Sequence, residues 1–273
     1  MKTTVCDNWD GFREALSKLV DDHEAHQVSA LSKSPLLFRG HSDTAWQLTT
    51  TLERSGGSPK FTDYYRSIQA VKPQIEAYTE NRWEILEFPK FRELACNSDA
   101  SFSLLGDMPG YDFMAYLRHH GFPSPLLDWS RSPMIAAFFA FRDKGSTGDS
   151  VAVYAYREYS TAVKFGSPTA PRIAVRGPYV RTHRRHFLQQ CQYTMCYEFQ
   201  MPAEGLHQWQ YTPHDGAFAA SGDEQDTLWK FTIPRSERER ALAELDKYNL
   251  NAYSLFGSED ALMEMLAARE LRT

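Results

Sequence analysis

Met134–Phe141 is the longest apolar stretch of the chain, and it decides much of what the rest can do. It is far shorter than the roughly 18 apolar residues a membrane span needs, so it has to be buried in protein. Ser132 stands where an N-cap belongs, and Pro133 stands at the first helical turn, where its missing N–H costs nothing. Pro133–Phe141 therefore reads as a helix, apolar nearly all round, that belongs in an interior. Just upstream, Leu126–Trp129 reads as a buried strand or strand end. A strand, a polar turn and a buried helix follow one another directly.

Weaker patterns surround this unit. Phe12, Ala15, Leu16 and Leu19 give an amphipathic helix over Asp10–Asp22. Pro35 breaks a polar Ser-rich linker, and Leu36–Phe38 reads as a short strand ending in Arg39-Gly40. Trp46–Arg54 reads as extended, Phe61–Phe91 as helix interrupted at Pro73 and Pro89, and Tyr111–His120 as helix stopped by Gly121 and Pro123. Strands are expected over Ser150–Tyr156, Tyr193–Gln200, Asp226–Ile233 and Asn249–Leu255. Helices are expected over Ser236–Leu245, with Ser236 and Glu239 as a capping box, and over Ser258–Leu271 with Ser258 as cap. Arg184–Gln190 reads as a short helix or a turn, and His207–Asp223 as a long loop. Strands and helices intermingle without a strict βαβ rhythm, a repeat or a boundary. Residues 1–273 are thus expected to form a single α+β domain.

Composition narrows the partners. With 273 residues, 42% of them hydrophobic, the chain can bury a core without staples. A net charge of −5 gives no global pull toward nucleic acid or an anionic membrane, so any anion site must be local. Cys6, Cys96, Cys191 and Cys196 form no CxxC pair and no zinc-finger spacing, and no metal is expected. Met1–Trp9 lacks a basic region followed by an apolar run, so a cytoplasmic location and no membrane contact are expected.

Three strings can carry chemistry. In Leu36–His41 a buried strand ends in Arg39, whose planar fork suits a diphosphate or carboxylate, or an internal carboxylate partner. Gly40 permits a turn or a close approach. His119-His120-Gly121 and then Asp128-Trp129-Ser130-Arg131-Ser132 crowd one turn before the apolar helix, whose free N–H groups and Ser132 hydroxyl suit an anion or a ribose. Equally, Ser132 can be a plain helix cap and Asp128 a turn residue. His183–Gln190 is locally basic, and Gln189 and Gln190 can each donate and accept. Glu198, on an apparent strand, and Glu259-Asp260, at a helix start, are further carboxylates. No GxGxxG, P-loop, HExxH or GxSxG pattern occurs.

Together, Phe38-Arg39-Gly40, His119-His120-Gly121, Leu126–Ser130, Ser132-Pro133 and Gln189-Gln190 followed by Tyr193-Thr194 resemble the FRG domain, a bacterial family named for its Phe-Arg-Gly triplet. Trp229-Lys230-Phe231 and Asn251–Phe256 extend the resemblance toward the C-terminus. Ser124-Pro125 stands where the family often has Thr-Arg, and Cys191 where it often has Gly. More loosely, the Phe-Arg-Gly strand end and the strand–turn–helix element are similar to ADP-ribosyltransferases of the Arg-Ser-Glu type. That resemblance implies a central, mostly antiparallel sheet, split or continuous, flanked by helices. It also implies NAD as substrate, with Arg39 on the diphosphate, Ser132 on the ribose and Gln190 or Glu198 as the third catalytic residue, Gln189 and Asp260 competing for that place. Gly40, His119, Asp128, Trp129 and Gln189 would complete the NAD site. The implied activity is ADP-ribosyl transfer to a protein or nucleic acid in a toxin or anti-phage effector, or NAD hydrolysis. A nucleotide- or nucleic-acid-binding module using Arg39, Arg131 and Arg184-Arg185, and a nuclease using His119, Asp128 and Gln190, are the competing expectations.

Overall fold

The computed structural model describes residues 1–25, 34–99, 108–143, 145, 147–160, 164, 166–177, 180, 182–220 and 225–271. Its elements are β1 (Lys2–Val5), α1 (Trp9–Ala25), β2 (Leu36–His41), α2 (Thr51–Arg54), α3 (Phe61–Thr79), α4 (Phe88–Ala95), α5 (Tyr111–His119), β3 (Leu127–Ser130) and α6 (Pro133–Arg142). They continue with β4 (Ser150–Tyr159), β5 (Arg172–Arg176), α7 (Arg185–Leu188), β6 (Cys191–Gln200), β7 (Gln208–Tyr211), α8 (His214–Ala220), β8 (Gln225–Pro234), α9 (Arg238–Lys247), α10 (Ala252–Phe256) and α11 (Glu259–Glu270).

The strands form one sheet in the order β1-β8-β4-β2-β3-β6-β5, with β7 also on β6. Among the described residues only β1–β8 is parallel; the other pairings are antiparallel. Thr194 pairs with both β3 and β5, and Tyr197 with both β5 and β7. β3 and β7 therefore share one edge of β6, and β7 takes that edge over where β3 ends. This is the mixed α+β architecture expected, with a mostly antiparallel sheet.

Strand alternation sorts the core. Leu36, Phe38, Val151, Val153, Ala155, Phe231 and Ile233 face Trp9 and Phe12 of α1, the apolar helix α6, and helices α9 to α11. Leu37, Trp129, Ala152, Tyr154, Tyr156 and Leu228 face the other way, toward Ala217 of α8. Helices α3, α4 and α5 cover Tyr193, Met195, Tyr197 and Phe199 of β6. As its sequence demands, α6 is buried along its length, from Ile135 to Phe141. It crosses β2 so closely that a Cβ on Gly40 would lie 1.9 Å from the Ala136 carbonyl oxygen and 2.6 Å from the Ala140 nitrogen. Gly40 is required there by backbone-to-backbone contact.

Several expected elements are corrected. Asn249–Leu255 is not a strand: Asn251 and Ser254 form a reciprocal capping box and Gly257 ends α10 in the left-handed region (φ 63°). The Ser236 box is not made. A 3-10 turn, Arg235–Glu237, precedes α9, and Glu237 instead accepts the Trp9 N–H at 2.9 Å. Pro73 lies inside α3 without ending it. Part of Trp46–Arg54 is helical, as α2, begun by a capping box between Thr50 and Glu53. The stretch from 207 holds β7 and α8; its polar Gln208 is buried because it accepts from Thr62 at 2.8 Å. Residues 26–33 of the Ser-rich linker and residues 221–223 at the end of that stretch lie outside the described residues. Arg184–Gln190 resolves into the short helix α7. No helix among the described residues is long and apolar enough to cross a membrane.

Candidate functional site

β2 and β3 share a single residue pair, Phe38 with Ser130. Antiparallel register would next set Arg39 opposite Trp129 and Gly40 opposite Asp128, but the ladder stops. In its place the Arg39 Nη1 donates to the Asp128 carbonyl at 2.7 Å, so a guanidinium stands in for a backbone donor. A cavity of about 950 Å³ opens at this joint, a size that suits a cofactor or dinucleotide. Its wall draws on β2, the 45–49 segment, and residues of α2, α5, β3, α6, α7, β6 and α10.

The lining is strongly cationic. Arg39, Arg54, Arg118, Arg142 and Arg185 all reach it, whereas among its described lining residues Asp128 is the one carboxylate. In a chain of net charge −5 this is a local reversal of sign. Arg118 pairs with Asp128 Oδ2 at 2.7 Å, and Asp128 Oδ1 is buried without a hydrogen-bond partner. Arg142 makes a two-pronged contact with Glu264, at 2.9 and 2.7 Å, and so brings little free charge. Its guanidinium also lies 4.2 Å from the Phe256 ring centroid, with that of Arg185 at 5.4 Å. Trp46, about half exposed, adds an aromatic face.

Arg39 is held tightly. Its Nε donates to His41 Nε2 at 3.1 Å. His41 Nε2 must then carry a lone pair, which leaves Nδ1 protonated and donating to the Trp46 carbonyl at 3.3 Å. Burial, then the charge of Arg39, pushes the His41 pKa down to about 3, so the ring is neutral and cannot repel the guanidinium. Burial also draws the Arg39 pKa down to about 10, opposed by Asp128, and leaves it charged at neutral pH. Nη2 has no protein partner among the described residues and is free for a ligand.

Beside Asp128, the Tyr193 hydroxyl links two imidazoles: His119 Nε2 at 2.6 Å and His186 Nδ1 at 3.0 Å. Burial lowers the His119 pKa to about 4, against the pull of Asp128. Burial raises the Cys191 thiol far above its usual range. The ligand atoms of His119, His186 and Cys191 all lie within 4.8 Å of one another. These residues could hold a metal, although their sequence spacing matches no short zinc motif.

Of the residues expected to form the site, Arg39, Gly40, His119, Asp128, Trp129 and Gln189 line the cavity. Ser132, Gln190 and Glu198 do not, nor does Asp260. Ser132 accepts from the Ile135 N–H at 3.3 Å and is a helix cap. Gln190 turns the chain between α7 and β6 at φ 49°. Glu198 stands where β6 pairs with β7 and accepts from Gln200 at 2.5 Å. Asp260 lies in the first turn of α11. Trp129 is buried, and its indole N–H donates to Thr194 at 2.8 Å, so it supports the wall and is not a loose stacking shelf. Gln189 donates to the Leu255 carbonyl at 3.1 Å and accepts from Cys191 at 3.7 Å. The exposed Arg131 and Arg184 stay outside. Sequence reasoning gave no role to Arg54, Arg118, Arg142, Trp46 or Phe256. The arginines stand on helices, where a charged residue reads as a solvated face.

Residues 34–148 match the family model for the FRG domain, which bears out the resemblance carried by Phe38-Arg39-Gly40. The matched span holds Arg39, Arg54, Arg118, His119, Asp128 and Trp129, while α7, β6 and α10 complete the cavity from beyond it. Neither the curated proteins nor the solved structures give a match.

Proposed function

We propose that this chain, with its FRG domain match, binds NAD in the cavity at the β2–β3 joint and cleaves the nicotinamide–ribose bond, as an ADP-ribosyltransferase-like enzyme or an NAD glycohydrolase. The single observation carrying this reading is that Arg39, Arg54 and Arg118 line one cavity of dinucleotide size, with Asp128 against Arg39 and Arg118. Arg39 Nη2, with Arg54, engages the diphosphate in the forked manner that arginine favours. Trp46 offers a face for a ring. Asp128 Oδ2, the oxygen toward Arg118, accepts a ribose hydroxyl, the part the Arg-Ser-Glu resemblance assigns to Gln190 or Glu198. As the C1′–N bond breaks, nicotinamide leaves with the electron pair, and the carboxylate steadies the positive ribosyl centre. Water or a macromolecular nucleophile then forms the new bond at C1′ and gives up a proton. A toxin or anti-phage role would follow from such NAD consumption.

The arginine surplus favours one second reading, a non-enzymatic module for nucleotides or nucleic acid, whose affinity would fall steeply with salt. Incubation with adenylate-labelled NAD, with and without cell lysate, separates these. Free nicotinamide with label on protein or nucleic acid means transfer, and nicotinamide alone means hydrolysis. No release and no thermal shift with NAD would sink the enzyme reading. Arg39→Lys, which replaces the fork by a point charge, should lower kcat/KM roughly 100-fold in a chain that still folds, with some fall in melting temperature because one ammonium cannot serve both His41 and the Asp128 carbonyl.

A further inference from the structure

We propose that His119, His186 and Cys191 together bind one zinc ion at the wall of the cavity. Their ligand atoms lie within 4.8 Å of one another, and three separate elements deliver them: the last turn of α5, the helix α7 and the first residue of β6. Two imidazoles and a thiolate suit zinc, whereas calcium and magnesium take oxygen ligands. Both rings present a nitrogen to one place, held there by the Tyr193 hydroxyl at 2.6 Å from His119 Nε2 and 3.0 Å from His186 Nδ1, and the ion would take over these nitrogens from that hydroxyl.

A separate observation points to a cation. Asp128 is the register partner of Tyr193 on the neighbouring strand, and its Oδ1 is buried with no hydrogen-bond partner. An unsatisfied carboxylate oxygen inside the protein is costly, and a metal centre beside it would relieve that cost. The thiolate offsets one of the two charges of the ion, and Asp128, shared with Arg118, lies beside the other. On binding, the Cys191 S–H bond breaks, its proton passes to solvent and a Zn–S bond forms, with no electron moved. Three protein ligands, two of them on the cavity lining, are the count of zinc sites that keep a position open for water or substrate.

The test needs no NAD, so its outcome is separable from that of the proposed enzyme activity. Full-length protein is depleted with a chelator and titrated with Zn²⁺, and in parallel with Co²⁺. The expected result is one ion per chain, about one proton released per zinc in weak buffer, and a thiolate-to-cobalt charge-transfer band in the near ultraviolet. Cys191→Ser should abolish the band and His186→Gln should weaken binding at least about tenfold, while Cys96→Ser should change neither. A folded wild-type protein that takes up no stoichiometric ion and shows no thiolate band overturns the proposal, as does a band that survives Cys191→Ser. If a variant does not fold, the wild-type stoichiometry and proton count decide alone.

Discussion

Two contacts within one sheet behave in opposite ways. β4 and β8 are zipped from Ser150–Pro234 to Tyr159–Gln225, and the side chains on both faces of that ladder are packed. β2 and β3, two strands along, meet at Phe38–Ser130 alone and then part. The first contact buries backbone by pairing it with backbone. The second leaves backbone to be satisfied by Arg39, and the room so made becomes the cavity. A sheet can thus carry a core in one ladder and a ligand site in another, provided that a side chain replaces the missing backbone bonds at the opening.

The sharpest way to break this contrast is Gly40→Ala. The added methyl would press into the backbone of α6, so a loss of about 3 kcal/mol or more, or failure to fold, is expected on chemical denaturation. An equal insult to an exposed β1 residue such as Thr3 should cost within about 0.5 kcal/mol.

A smaller effect compares two carboxylates of neighbouring strands. Asp128→Asn should weaken NAD binding or turnover roughly tenfold to a hundredfold, because it removes a charged acceptor at the joint. Glu198→Gln, on the β7 side of β6, should stay within about twofold of wild type. The reverse ranking, measured by nicotinamide release and by calorimetry, would place the chemistry away from the joint.

The mildest test is pH. The folded chain keeps His41 neutral down to about 3, whereas the unfolded chain takes up a proton near the ordinary value of 6.5. Below 6.5 protons therefore favour the unfolded state, and this contribution to stability, whole above that value, drains away as pH falls toward 3. His214, buried under the other face, acts in the same direction, with a pKa of about 3. Melting temperature should thus fall on acidification through this window, and His41→Gln should flatten part of the slope. An unchanged slope would mean that His41 is not held neutral.

The sequence was most legible where chemistry is local. Ser132 and Pro133 announce α6, and the strings around Arg39 and Asp128 bring most of the cavity floor into view. What stayed hidden depends on contacts between distant segments. Arg118 and Arg142 look like helix-surface charges until β3 and α11 bring Asp128 and Glu264 to them. His119, His186 and Cys191 converge only because α5, α7 and β6 meet. Asn249–Leu255 reads as a strand, but Asn251 and Ser254 bond locally to the backbone and start a helix, which places Phe256 at the cavity. Glu198 misled for the converse reason: a carboxylate on a strand says nothing of which neighbour flanks that part of the strand.

One feature of β2 sets how this chain could diverge and still work. Because Gly40 meets α6 main chain to main chain, the height of the β2 backbone at Arg39 is gauged by the peptide skeleton, while His41 and the Asp128 carbonyl aim the guanidinium. Phe138, Phe141 or Trp9 could drift to other apolar residues without moving that arginine, so long as the glycine stays. Descendants of this sequence would then be recognisable by the Phe38-Arg39-Gly40 triplet even where apolar residues around it had exchanged for others of similar volume.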